Sequence, residues 1–230
     1  MLEDSIPLPA KPAAILFDLD GTLVDSAADL AWAMDILLAR KGKGTLSYPQ
    51  FRATVSQGSV AMLSNAFELA PSDPEIEMLR PEFLAIYSEH LSSKSECFDQ
   101  IEEALATIEA KGIPWGIITN KPTALTIPLL DKLNLSSRSG CVVCGDTLEF
   151  RKPHPAPMLL ACAQLNVVPE KCVYVGDAPR DIEAAQGACM ASIAAAWGYL
   201  SPGDKPAQWG AAKVIDTSGE FADWVSDYLE

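Results

Sequence analysis

The sequence predicts an α/β fold: a parallel sheet with helices on both faces, and a run of helices inserted after the first strand. Three observations predict it. Short apolar runs bounded by turn residues recur along the chain, helical patterns fill most intervals between them, and the first interval is far too long for one crossover helix.

The runs are 13–17 (AAILF), 115–118 (WGII), 141–144 (CVVC), 172–175 (CVYV) and 191–196 (ASIAAA). They are uniformly apolar rather than alternating, as expected of strands buried on both faces. Helical patterns at 100–111, 122–133, 155–166 and 180–189 supply the crossovers of a doubly wound sheet. Between Asp18 and Trp115 the rhythm breaks. Residues 28–41, 49–55, 59–70 and 74–91 read as amphipathic helices, with Pro49 and Pro74 suited to first-turn positions. The polar stretch SSKSE at 92–96 returns the chain to the sheet. The expected organisation is therefore a core of residues 1–24 and 97–230, with a helical domain at 25–96.

Composition narrows the function classes. The 230 residues are 49% hydrophobic and 21% charged, ordinary for a globular chain, and carry a formal charge of −14. That charge argues against nucleic acid and anionic membrane as partners, since both require a basic face. No apolar stretch approaches the ~18 residues of a membrane helix. The N-terminal MLEDSIPLPAKP lacks the basic and apolar regions of a signal peptide, so the expected address is the cytoplasm. Six cysteines sit mostly within apolar runs and read as small core residues of a reducing compartment. Cys141 and Cys144, three apart on a strand, point to opposite faces. With only His90 and His154, and His154 held between two prolines, a zinc site is not expected.

The chemistry collects at the strand ends. The first run stops at Asp18-Leu19-Asp20, the second at Thr119-Asn120, the third at Gly145-Asp146 and the fourth at Gly176-Asp177. In a parallel sheet these ends share one edge, where open α/β folds bind ligands. Asp18, Asp20 and Asp177, with Asp181 one helical turn on, form a hard-cation set. A divalent ion such as Mg²⁺ offsets the repulsion between adjacent carboxylates and can then hold a phosphate. Gly21 allows a tight exit whose backbone N–H groups can bind an oxyanion. An anionic substrate needs local cations on so acidic a chain, and RKPHP offers both Arg151 and Lys152; the K-P-x-P context favours Lys152 and leaves Arg151 as the solvent-exposed one.

DLDGT at 18–22, Thr119 in ITNKP, Lys152 in RKPHP, and Asp177 with Asp181 in GDAPRD resemble, in order, the motifs of the haloacid dehalogenase-like phosphatases. The likeness covers nearly the whole chain. Within that family it is nearest to phosphoglycolate phosphatases and N-acetylmuramic acid 6-phosphate phosphatases. The resemblance implies a Rossmann-like core with an inserted α-helical cap domain, and hydrolysis of a small phosphorylated metabolite through an aspartyl-phosphate. It implies Asp18 as nucleophile, Asp20 as acid and base, and Gly21, Thr119, Asn120 and Lys152 around the phosphoryl group. Mg²⁺ is expected on Asp18, the Asp20 carbonyl, Asp177 and Asp181.

Other classes fit less well. A dehalogenase has no use for a proton donor at Asp20, because halide leaves unprotonated. A phosphonate hydrolase wants a cap lysine, for which Lys41 and Lys43 are available, but the second aspartate favours an ester. A sugar phosphomutase shares the whole core. A non-catalytic acidic Mg²⁺-binding module would need neither Thr119 nor Lys152. No G-x-S-x-G, P-loop or dinucleotide fingerprint occurs. For specificity, SQGS at 56–59 resembles a glycine-containing loop that faces the active site in relatives, which implies Ser56 and Gln57 as substrate contacts; a plain interhelical turn is the alternative. Arg52 is the expected cap cation, because among Arg40, Lys41, Lys43, Arg52, Arg80 and Lys94 it alone lies close to that loop in sequence. A two-carbon acid phosphate of the phosphoglycolate type is the first expectation for substrate, an amino-sugar acid phosphate the second.

Overall fold

The computed structural model describes residues 5–230, so the first four residues of the expected 1–24 segment lie outside it. Six parallel strands form the main sheet: β1 (Ala14–Phe17), β4 (Trp115–Ile118), β5 (Cys141–Val143), β6 (Cys172–Gly176), β7 (Ala191–Ala195) and β8 (Lys213–Ile215), in spatial order β5-β4-β1-β6-β7-β8. The switch in strand order falls beside β1, with β4 on one side and β6 on the other.

Alternation along the strands explains why helices cover both faces. Ile15 and Phe17 pack with Trp115, Ile117, Val173 and Val175 beneath α5 (Ile101–Ala110), α6 (Thr123–Lys132) and α9 (Ser218–Tyr228). Ala14, Leu16, Ile118 and Tyr174 face the other way, against α7 (Ala156–Leu165) and α8 (Pro179–Gly187). Neither face is left to water, so the strands show no polar alternation.

The chain leaves and re-enters the sheet region through a two-residue antiparallel ribbon: β2 (Val24–Asp25) pairs with β3 (Glu96–Cys97). Between them lie α1 (Ala27–Arg40), α2 (Tyr48–Arg52), α3 (Ser59–Phe67) and α4 (Pro74–Glu89), whose buried Met34, Phe51, Leu63 and Phe83 form one apolar cluster with the α5 side of the sheet. Pro74 opens α4 behind an Asp73 N-cap that accepts from the Glu75 N–H. The expected helix at 49–55 is shorter: α2 stops at Arg52, and a 3₁₀ turn at Val55–Gln57 leads to Gly58, whose φ of 88° sets the SQGS corner.

The sixth strand and the last helix were not among the sequence expectations. β8 is a three-residue edge strand with an exposed lysine, too short to raise a pattern. For α9 a signal existed in the Thr217-to-Glu220 capping box, with the Glu220 N–H donating to Thr217 Oγ1. The cysteine expectation holds for Cys141, Cys144, Cys162 and Cys172, which are buried, but Cys189 is exposed, because it follows α8 in a left-handed turn. Among the described residues no helix is long and apolar enough to cross a membrane.

Candidate active site

Backbone bonding carries the sheet one residue past its strands, straight into the polar termini. The Asp18 N–H donates to Val175 O (2.9 Å) and the Thr119 N–H to Val143 O (2.9 Å). Side chains set on such extensions inherit the rigidity of the sheet. Gly21 then turns the chain at φ 90°, and a Cβ there would stand 2.1 Å from Asp177 Oδ2. Only glycine lets the ends of β1 and β6 approach so closely.

Lys152 arrives from the loop after β5 and stands at the centre. Its Nζ lies 2.8 Å from Asp18 Oδ1 and 2.7 Å from Asp181 Oδ1, and it donates to Ile118 O and Tyr174 Oη, both at 2.8 Å. The side chain is only 1% exposed. Burial alone would favour its neutral form, but the flanking carboxylates outweigh that and hold its pKa above the ordinary lysine value.

Each acid is held differently. Asp18 Oδ1 accepts from the Leu19 N–H (2.7 Å) as well as from Lys152, and Oδ2 has no hydrogen-bond partner among the described residues. Asp181 is a first-turn acid of α8: its Oδ2 accepts from the Ala178 N–H (3.1 Å), while Oδ1 meets Lys152 and Tyr174. Asp177 Oδ2 accepts from Ser56 Oγ and the Tyr199 N–H, whereas its Oδ1 is buried with no hydrogen-bond partner. Asp18, Asp177 and Asp181 each present an oxygen within 4.8 Å of the others. Burial, opposed by Lys152, raises Asp18 to about 6; burial together with the charges of Asp18 and Asp181 raises Asp177 to about 7. Three buried carboxylates against one lysine, with one anionic oxygen unpartnered, is a donor set that fits a hard divalent cation. The Asp20 carboxylate lies outside this cluster, so only its main-chain carbonyl remains for the role expected of it.

Asp20 belongs to a second network. Its Oδ1 accepts from Ser26 Oγ and from Lys121 Nζ (2.9 Å), and Lys121 also donates to Tyr87 Oη (2.9 Å) on α4. Lys121 is 7% exposed; burial would lower its pKa, but the Asp20 charge keeps it above the ordinary lysine value. Sequence reasoning missed this lysine, although it directly follows Thr119-Asn120.

A cleft of ≈ 660 Å³ opens above these groups, between the sheet edge and the helices α3 and α4. Asp18, Asp20, Thr119, Lys121 and Lys152 line one side, and Ser56, Gln57, Ser59 and Arg80 the other. The SQGS loop is thus both a turn and part of the cleft wall. Two expectations need correction. Arg52 does not line the cleft: it donates to Gly198 O (3.2 Å), pairs with Asp25 Oδ2 (3.4 Å) and lies over the Tyr199 ring, bracing the ribbon where the helices begin. Asn120 does line it, but its side chain is bonded to the Lys152 backbone, accepting from Lys152 N–H (3.1 Å) and donating to Lys152 O (2.9 Å). It holds the lysine loop and leaves its backbone N–H and one Nδ2–H for a ligand. Arg151 lies exposed at the cleft's rim, as expected, and Arg180 joins it there.

Comparison with known proteins agrees with this geometry. Residues 15–195 match the family described as haloacid dehalogenase-like hydrolase. The chain is 41% identical to an N-acetylmuramic acid 6-phosphate phosphatase of Pseudomonas aeruginosa, covering 91% of this chain and 93% of that one. It is 43% identical to a phosphoglycolate phosphatase of Xylella fastidiosa, covering 90% of each. A predicted phosphoglycolate phosphatase from Haemophilus somnus superimposes with a TM-score of 0.81 at 27% identity, covering 96% of this chain and 97% of that structure.

Proposed function

The chain belongs to the haloacid dehalogenase-like hydrolase family, and from that membership we propose a phosphatase that cleaves small phosphomonoesters, phosphoglycolate phosphatase-like, through an aspartyl-phosphate. One observation carries the reading: Asp18, lining a cleft ringed by cations, has one carboxylate oxygen pinned by Lys152 and Leu19 and the other without a hydrogen-bond partner among the described residues.

In the first step Asp18 Oδ2 attacks phosphorus, the ester P–O bond breaks, and its electron pair stays on the leaving oxygen, which takes a proton from Asp20. In the second step Asp20 takes a proton from water. The water oxygen bonds to phosphorus, and the Asp18 carboxylate departs with the electron pair of the Asp18–phosphorus linkage. Lys152 stabilises charge on the phosphoryl oxygens at a fixed position, because four oxygens and the Asn120 clamp leave it no freedom. Thr119 and the backbone N–H groups after Gly21 complete the phosphoryl cradle. Lys121 orients the Asp20 carboxylate. Mg²⁺, held by Asp18, Asp177 and the Asp20 carbonyl with Asp181 behind them, would neutralise charge on the phosphoryl oxygens. Residues 25–96 act in this reading as a cap over a core of 1–24 and 97–230, shutting out large polymers, and the enzyme works on cytoplasmic metabolites.

The test is release of inorganic phosphate from phosphoglycolate with MgCl₂, with CaCl₂ and with excess EDTA. Turnover with Mg²⁺, little with Ca²⁺ and none in EDTA is expected; full activity in EDTA removes the assigned role of the acid cluster. Phosphate release also separates a phosphatase from a phosphomutase. A second reading, N-acetylmuramic acid 6-phosphate as substrate, is favoured by the cleft volume and by its apolar wall of Met62, Ile76 and Leu84, more room than a two-carbon acid needs. A hundredfold higher kcat/KM on the amino-sugar acid, roughly 2.7 kcal/mol of transition-state binding, makes that reading the first.

A further inference from the structure

Resting on the phosphatase reading, we propose that Arg80 is the specificity cation of this site and that the substrate's leaving group carries a carboxylate which Arg80 binds. Arg80 sits on α4, far along the chain from the loop that faces the sheet edge, yet its Nε donates to Ser59 Oγ of that loop (2.9 Å). The bond uses one of the five guanidinium N–H groups. The Nη groups have no hydrogen-bond or ion-pair partner among the described residues, and both Arg80 and Ser59 line the cleft. A half-buried guanidinium anchored through Nε, with its Nη pair free, presents the planar fork that matches a carboxylate.

Position separates Arg80 from the other cations of the cleft. Lys152 and Lys121 are held at the sheet edge, the phosphoryl end, by ion pairs with Asp18, Asp181 and Asp20. Arg151 adjoins Lys152 and Arg180 opens α8 behind Asp177, so both flank the phosphoryl end at the sheet edge. The leaving group must extend away from that edge, toward the helices, and the cation waiting on that side is Arg80. Its acidic neighbour on the cleft wall, Glu77, is exposed and forms no ion pair with it. On a chain of charge −14, a cation without an ion-pair partner on the helical side of the cleft is a recognition element for a second anion. Both substrates considered above contain one: glycolate ends in a carboxylate, and N-acetylmuramic acid differs from N-acetylglucosamine by its lactyl carboxylate.

The experiment measures kcat and KM of wild type, Arg80→Ala, Arg80→Lys, Arg151→Ala and Arg180→Ala on two matched pairs. One pair is phosphoglycolate and 2-hydroxyethyl phosphate, the other N-acetylmuramic acid 6-phosphate and N-acetylglucosamine 6-phosphate; p-nitrophenyl phosphate reports the core chemistry. Wild type is expected to prefer the carboxylate member of at least one pair, and which pair shows it identifies the source of the carboxylate. In Arg80→Ala that preference should fall on the order of 10- to 100-fold, mainly through KM, the range of a charge-assisted hydrogen-bonded pair; Arg80→Lys should retain part of it. Equal losses on both members of a pair reduce Arg80 to a structural prop and overturn the proposal. So does a preference that collapses in Arg151→Ala or Arg180→Ala instead, or a wild type that cleaves p-nitrophenyl phosphate but prefers neither carboxylate. A wild type inactive on every ester defeats the phosphatase reading itself, and the proposal with it.

Discussion

The two walls of the cleft are built on different principles. On the sheet side, Asp18, Thr119 and Asp177 follow three neighbouring parallel strands, and backbone hydrogen bonds to Val175 and Val143 extend the ladder into the site. On the helical side, Ser56, Gln57, Ser59 and Arg80 come from a corner and two helices, brought together by apolar packing and by single side-chain bonds such as Arg80 to Ser59. The first wall is a rigid frame in which Asp18 and Asp181 pair with Lys152, and Asp20 with Lys121, while Asp177 keeps one buried oxygen unpartnered. The second keeps unpaired groups on a less constrained scaffold. The difference suits a division of labour: chemistry needs fixed distances, whereas substrate choice needs a surface that can differ without disturbing them.

Breaking the sheet wall at its centre should have the largest effect. Asp18→Asn should lower kcat by at least about 10⁴-fold while circular dichroism and Tm stay close to wild type. Comparable rates for the two proteins would end the covalent mechanism.

Lys152→Ala comes next. It should lower kcat by on the order of 10²–10³-fold, and it should also destabilise the fold, by about 3–5 kcal/mol, because Asp181 would be left buried without its counter-charge. Arg151→Ala, one residue away but exposed, should leave Tm unchanged. A larger activity loss from Arg151→Ala would show that the wrong cation has been assigned to the frame.

A pH experiment tests the strain stored in the acid cluster. Folding raises Asp18 from 3.8 to about 6 and Asp177 from 3.8 to about 7, so the folded chain binds protons that the unfolded chain has already lost. Their contribution to stability is complete below about pH 4 and falls away as pH rises through the folded values toward 7. In EDTA, Tm should therefore decline over that window from this source. Added MgCl₂ should raise Tm more at pH 8 than at pH 5, since the cation competes with those protons. An equal or larger Mg²⁺ effect at pH 5 would contradict the assignment of these carboxylates.

The smallest effects should come from the junction between the walls. Tyr87→Phe removes the α4 contact to Lys121 and is expected to lower kcat less than about tenfold, with Lys121→Met more severe, since the latter leaves Asp20 held by Ser26 alone. Arg52→Ala should lower Tm by a few degrees, with the loss of a partly exposed pair and its packing on Tyr199, while KM stays within about twofold of wild type. A large KM change there would return Arg52 to the substrate wall.

The sheet-side residues were legible because their positions follow from local rules. A buried parallel strand reads as an apolar run, its carboxyl end lies on the ligand edge, and Asp18, Thr119 and Asp177 stand at such ends, while Lys152, on the loop after β5, was legible through its motif. The networks behind them were less legible. Tyr174 looked like one more strand residue, yet its hydroxyl is a contact of Lys152, and Lys121 looked like a lysine before a proline, yet it is buried against Asp20. Asn120 was read as a phosphate contact from its neighbours, but the return of the chain at Lys152 occupies its amide.

The sequence by itself determined the strand ends, the order of the acids along them and the helical character of the segment after the first strand; the central lysine came instead from the likeness of its motif to the family's. The first three depend on hydrophobic periodicity and on the fixed geometry of parallel strands, which act over a few residues at a time. Only the tertiary structure decided which cap cation faces the cleft. Arg52 is near the SQGS loop along the chain and Arg80 is not, but α4 packs against α3 and carries Arg80 to Ser59, while α2 turns Arg52 toward Asp25 and Gly198. Direction and contact between helices are set by which apolar faces bury against each other, a property of the assembled core rather than of any short stretch of chain.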